Sequence, residues 1–265
     1  MDDILIVTDS NNIEDHIKIV SIVLKHLEDN DLFLKPEKCH FHRYEVEYLG
    51  IIVGNGQVKM DPIKVKGLTD WPIPTIVSEL HSFLGFVNYY KDFIQDYSKI
   101  AYPLHDLTKK SHAWKWEDNQ QTAFDTLKCK FTSYPVLRNP DPTKCYIVDT
   151  DTSTHAVGTT VLQDFSDGCH PITFFSKSLL PAESNYDIYD HKLLASINAL
   201  KANCQLLLGT QQKFLIRTNH HNLKYFKTPQ KISPRQARWH EFLQDYNFEI
   251  AYFPGKSNTI ADLIS

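Results

Sequence analysis

At 265 residues the chain is long enough to bury a sizeable core and to form one or two domains. Its 28 Lys and Arg nearly balance 32 Asp and Glu, which excludes a broadly basic, nonspecific nucleic-acid binder but leaves room for local basic grooves. Aromatic residues make up 12%, which excludes wholesale disorder, and no stretch approaches the roughly 20 apolar residues of a membrane span. The polar Asp2-Asp3 start is not a signal peptide. Cys39, Cys129, Cys145, Cys169 and Cys204 are odd in number and lack ligand spacing, so they read as reduced thiols of an intracellular protein.

The chain opens on two adjacent carboxylates, Asp2 and Asp3, followed by the β-rich run Ile4 to Val7. Asn11 and Asn12 then start a predicted helix with Ile13, Ile17, Val20, Val23, Leu24 and Leu27 along one face. Lys35-Pro36-Glu37-Lys38 turns the chain. Glu45 to Val53 reads as a strand that Gly54-Asn55-Gly56 folds into a hairpin.

From Asp61-Pro62 onward the texture is helical, interrupted at Trp71-Pro72-Ile73-Pro74. Leu80, Phe83, Leu84, Val87, Tyr90 and Phe93 recur at helical spacing, a short helix fits Ile100 to Leu107, and Ala123, Phe124, Leu127 and Phe131 form a further stripe. Pro135 to Pro142 reads as a linker, because prolines disfavour regular structure. Beyond it, Lys144 to Asp149, His155 to Gln163 and Ile172 to Ser176 read as three strands, with a turn at Asp151-Thr152-Ser153. A helix over Tyr186 to Leu200, a strand over Phe214 to Thr218, a helix over Pro234 to Leu243 and a strand over Phe248 to Phe253 follow. A short segment over Asn258 to Ile264 closes the chain. That succession predicts an α/β domain with a mixed sheet covered on both faces.

Taken singly, these motifs are ordinary: a solvated Asp-Asp turn, a packed tyrosine before a turn glycine, a helix core. Their order resembles the carboxyl half of the reverse transcriptase and the following ribonuclease H domain in Pol polyproteins of gypsy-like LTR retrotransposons. Asp2-Asp3-Ile4-Leu5-Ile6 resembles the metal-binding turn of the polymerase, and Tyr48-Leu49-Gly50 its primer-gripping hairpin. Phe83-Leu84-Gly85 with Asn88-Tyr89-Tyr90 resembles the thumb. Asp149 to Ser153, Arg217-Thr218-Asn219-His220 and Tyr252-Phe253-Pro254-Gly255-Lys256 with Ala261-Asp262 trace the ribonuclease H domain. The fold this implies is α+β and α/β: a partial reverse transcriptase palm over 1–60, helical thumb and connection over 61–134, a linker over 135–142 and an RNase H-like mixed-sheet domain over 143–265.

The family is an RNA-directed DNA polymerase and a ribonuclease that cuts RNA–DNA hybrids. It uses Mg2+ or Mn2+, and the partner implied is an RNA–DNA hybrid or template–primer duplex inside a cytoplasmic particle or the nucleus. In this chain the polymerase remnant is Asp2 and Asp3, expected to be incomplete without upstream Pol segments. The ribonuclease H site departs from its pattern more specifically. Asp151 and Asp262 match two of its acids, whereas Lys192, before Leu193-Leu194-Ala195, and Asn219 stand at positions normally acidic. Asp149 lies two residues from Asp151, on the same face of a strand. The metal-ligand set is thus Asp2, Asp3, Asp151 and Asp262 with Asp149 nearby, and weak or absent metal binding is expected. Arg217 and Arg235 are the nucleic-acid-binding candidates. The resulting expectation is a retrotransposon-derived fragment without catalysis, with a noncatalytic nucleic-acid-binding module or a scaffold piece of a Pol assembly as alternatives.

Overall fold

The computed structural model describes residues 3–8, 12–133, 136–218 and 233–252. The chain divides into two compact units, Met1–Lys64 and Val65–Ser265.

The first unit contains helix α1 (Ile13–Asp29), capped by the Asn12 side chain, which accepts from the Glu14 amide at 3.0 Å. Of the predicted apolar face only Val20 is buried; Ile13 is 52% and Ile17 43% exposed. The helical period was legible, but the stripe stays largely exposed among the described residues. Ile4 to Val7, expected as a strand, carries no β ladder. The expected hairpin is instead a three-stranded antiparallel meander of β1 (Glu45–Tyr48), β2 (Ile51–Gly54) and β3 (Gln57–Met60). Two-residue turns join the strands, Leu49-Gly50 at φ 49 and 76 and Asn55-Gly56 at φ 53 and 70. Positive φ at both central residues suits the right-handed twist of adjacent strands. Glycine and asparagine adopt it readily; leucine rarely does, so the turn at Leu49 holds backbone strain.

Helix α2 (Pro62–Thr69) leads into the second unit, where α3 (Val77–Tyr89), α4 (Tyr97–Leu107) and α5 (Asp118–Thr132) follow. The expected stripes are inward: Leu80, Phe83, Leu84, Val87, Ala123, Phe124, Leu127 and Phe131 are all buried. Phe83 stacks at 4.6 Å on Phe124 and 6.0 Å from Trp71, and Tyr90 meets Phe131 edge-on at 5.9 Å. Helix α4 begins three residues earlier than the pattern suggested, and this brings Tyr97 and Ser98 into buried positions.

The expected linker contains only the short strand β4 (Leu137–Arg138), with Leu137 buried. Then β5 (Tyr146–Thr152), β6 (Ala156–Phe165), β7 (Gly168–Ser178), β8 (Phe214–Thr218) and β9 (Phe248–Tyr252) form a sheet in the order β7-β6-β5-β8-β9. The β7–β6–β5 pairs are antiparallel and the β5–β8–β9 pairs parallel. Between them run α6 (Ile188–Ala202), α7 (Cys204–Leu207) and α8 (Pro234–Leu243). Val148, Val161, Leu193, Ile197, Leu200 and Phe214 belong to one core on the α6 side. The segment from 258 to 264 lies outside the described residues.

Burial in β6 runs unbroken from Ala156 to Gln163, unlike the alternation of a strand with one wet face. The cause is a second cover: α4 packs on β6 and β7 opposite the α6 core. Thumb-like helices and RNase H-like sheet therefore belong to one compact unit, and compact units do not divide at 135–142. Phe83→Ala should cost about 3–5 kcal/mol of stability, measured by urea denaturation. Amide exchange should accelerate in β6 and β7 as well as in α3; acceleration confined to 65–133 would show that the two parts unfold separately.

Candidate functional site

Strand β5 continues to Thr152, so Asp151 lies in the strand and not in the expected turn. It pairs in register with Gly158 of β6, and Asp149 pairs with Thr160. Both aspartates thus project from the same face. Asp151 is half exposed, and its Oδ1 accepts from the Thr152 amide at 2.8 Å. On α6 the Lys192 Nζ lies 3.4 Å from the same Oδ1, with the lysine side chain only 11% exposed. Lys192, expected at a position normally acidic, thus forms an ion pair with Asp151, whose place in the expected site lies among the described residues. Asn219 and Asp262, like Asp2, lie outside the described residues, and Asp3 is exposed.

Asp149 does not assist Asp151. The parallel register of β5 and β8 sets Arg217 beside it, and the guanidinium binds it in a fork, Nε to Oδ1 at 2.5 Å and Nη2 to Oδ2 at 2.6 Å. The pair is largely buried, and the Asp149 hydrogen bonds push the Arg217 pKa up. Arg217, expected on a nucleic-acid surface, is thus engaged within the sheet. Arg235 is engaged too. It pairs with the buried Asp190, which also accepts from Gln236 Nε2 at 2.7 Å, and its guanidinium stacks 3.7 Å from the Tyr186 ring centroid. Asp190 and Lys192, two residues apart on α6, point to different partners as helical geometry requires.

A residue with no sequence signal completes the site. Asp96, at the start of α4 with φ 59, lines the same cleft as Lys99, Asp151, Ser153, Gly158 and Ser176. A Cβ on Gly158 would stand 2.6 Å from Asp96 Oδ1, so the close approach requires glycine there. The neighbouring Ser98 amide donates to Ser176 Oγ at 2.9 Å, tying α4 to β7. Burial, and then the Asp151 charge, push the Asp96 carboxyl above its usual range. Nothing near Asp96 in the sequence marks it, because its neighbours come from strands more than fifty residues away.

A two-metal centre needs several ligands holding ions about 3.5–4 Å apart. Among the described residues no group of three or more His, Cys, Asp or Glu is placed to hold a metal. Lys192 offers an ammonium where a carboxylate is needed, and both Asp149 oxygens are occupied by Arg217. The described donor set does not fit such a centre.

Residues 1–53 match the family described as reverse transcriptase (RNA-dependent DNA polymerase), and residues 141–246 match the RNase H-like domain found in reverse transcriptase. The chain is 37% identical over 268 residues to the Tf2-3 and Tf2-4 transposon polyproteins of Schizosaccharomyces pombe. The chain belongs to the gypsy-like retrotransposon Pol family. The match covers 100% of this chain and 20% of each polyprotein, so this Pol chain spans about a fifth of the length of its curated relatives. Two solved structures share its fold. The foamy viral protease-reverse transcriptase in complex with dsDNA has a TM-score of 0.72 at 21% identity, covering 93% of this chain and 52% of its own. The same protein in complex with RNA/DNA hybrid has a TM-score of 0.73 at 20% identity, covering 94% and 35%.

The Asp96 carboxyl of this Pol chain supplies a test with a definite sign. Its folded pKa lies above the ordinary 3.8, so the folded protein holds that proton more tightly than the unfolded chain. Stability from this group is full below the ordinary value and is lost as pH rises through the raised one. Asp96→Asn should therefore raise the thermal midpoint at neutral pH, with the gain shrinking in acid. A variant equally stabilised at every pH, or destabilised at neutral pH, would contradict the charge assignment.

Proposed function

We propose that this segment of the Pol family holds a nucleic-acid duplex without cleaving it. The observation that carries the reading is the 3.4 Å contact between Lys192 Nζ and Asp151 Oδ1. Unit charges about 4 Å apart interact by roughly 4 kcal/mol at an effective dielectric near 20, and less where one partner is half in water. The same ammonium repels a divalent cation, with twice its charge, more strongly than it attracts the carboxylate. Lys192 would have to leave, and leave Asp151 unpaired, before metal could enter. Activating water and stabilising a leaving 3′ oxygen both depend on such metals in this family.

The duplex reading is supported by the fold shared with proteins solved on dsDNA and on RNA/DNA hybrid. An RNA–DNA hybrid or a template–primer duplex is accordingly the substrate class. In the polymerase part, Asp2 and Asp3 are the proposed metal-holding pair and Tyr48 to Gly50 the proposed primer contact. Leu49 is 55% exposed at the strained turn, as a residue that touches a ligand would be. A second reading, a scaffold piece of a larger Pol assembly, is favoured by the uncovered Ile13 and Ile17 on α1.

A labelled RNA–DNA hybrid tests the first reading. The chain should bind it with an affinity that falls as salt rises, and should cut it no faster than Asp151→Asn does. Lys192→Glu combined with Asn219→Asp should raise cleavage far more than either replacement alone, because ligands and metals act as a unit. Cleavage by the unaltered chain as fast as by the double replacement would sink the proposal.

A further inference from the structure

The acids around β5 and α6 share a feature beyond the loss of one ligand. Asp149 is matched by Arg217, Asp151 by Lys192 and Asp190 by Arg235, each within ion-pair distance. The three cations come from three different elements: β8, α6 and α8. Asp149 and Asp190 are both largely buried, and buried carboxylates persist as charges only when paired. Asp151 differs from them in facing a second carboxylate, Asp96, across the cleft. Two facing carboxylates repel, and nearby cations offset that repulsion: Lys99 lines the cleft and acts on Asp96, whereas Lys192 reaches Asp151.

We propose that Lys192 is the built-in counter-cation of Asp151, so that this carboxylate takes its compensating charge from the protein and not from a bound divalent metal. The lysine stem is covered and its ammonium is delivered to Oδ1, whereas a solvated surface lysine would extend into water. Asp96, at the N-cap of α4, faces Asp151 from the other side, and Lys99 lines the same cleft. Charged groups from the start of α4, from β5 and from α6 thus come together around Asp151. The inference deepens the proposed function by naming what replaces the metal, but it makes a claim about metal that requires no nucleic acid.

Mn2+ binding to the full chain, followed by electron paramagnetic resonance without nucleic acid, tests it. Asp151→Asn should leave the Mn2+ titration of the otherwise unaltered chain unchanged, since Asp151 is not available to metal. Lys192→Glu should bind Mn2+ about tenfold more tightly or better, and its thermal midpoint should rise with added Mn2+. Lys192→Gln should show a smaller gain in the same direction, and serves where the glutamate variant does not fold. Adding Asp151→Asn to either should abolish the gain. Mn2+ binding by the unaltered chain that Asp151→Asn removes would overturn the proposal, as would a folded Lys192 variant with no gain. Hybrid affinity measured separately, with EDTA and with Mg2+ at matched ionic strength, should be the same; failure to bind hybrid at all would count against the proposed function and leave the Mn2+ result standing.

Discussion

Strand β6 is buried on both faces from Ala156 to Gln163, and that constraint organises the second unit of the chain. A strand with one apolar face needs one cover; this one needs two, and receives α6 on one side and α4 on the other. Helices that a domain diagram would assign to the thumb are thereby part of the RNase H-like core. The same packing explains a detail of the site. Gly158 sits beside the N-cap of α4, and the absent Cβ leaves room for the Asp96 carboxylate in the cleft that Asp151 also lines.

The electrostatics follow from that geometry. Acids gathered for divalent metals destabilise a fold that lacks the metals, because like charges held together repel. In this chain the described acids near the ancestral centre are distributed among protein cations. Arg217 forks onto Asp149, Arg235 lies between Asp190 and the Tyr186 ring, and Lys192 reaches Asp151. Each pair also crosses between elements, β8 to β5, α8 to α6 and α6 to β5, so charge balance and packing reinforce one another. Asp96 is held differently: burial and the facing Asp151 disfavour its ionised form more than Lys99 and Lys130 favour it.

Periodicity made much of this fold legible in the sequence. The stripes Leu80–Val87 and Ala123–Phe131 turned inward as their spacing required, and from residue 143 to 252 the described strands and main helices followed the expected order, with the short helix α7 added. The place of Lys192 before Leu193-Leu194-Ala195 marked it as a residue of interest, but its ion-pair partner Asp151 could not be read from the sequence. What stayed hidden depended on contacts between distant segments. The pairing of Arg217 with Asp149 follows from a parallel register across 68 residues, so its charge alone suggested a surface role. Asp96 has no motif around it, and the apolar face of α1 announced a helix without revealing how exposed Ile13 and Ile17 would be. The meander was missed because a leucine at φ 49 is a rare turn residue, so Tyr48-Leu49-Gly50 read as continuous strand.

The central claim is that a protein ammonium holds the place of a metal at Asp151. Crystals of the full chain grown with Mn2+, with diffraction collected at the manganese absorption edge, test it most directly. The account predicts the Lys192 Nζ in ion-pair contact with Asp151 Oδ1 and no anomalous peak within coordination distance of that carboxylate. An anomalous peak bound to Asp151, with Lys192 turned away into solvent, would contradict it.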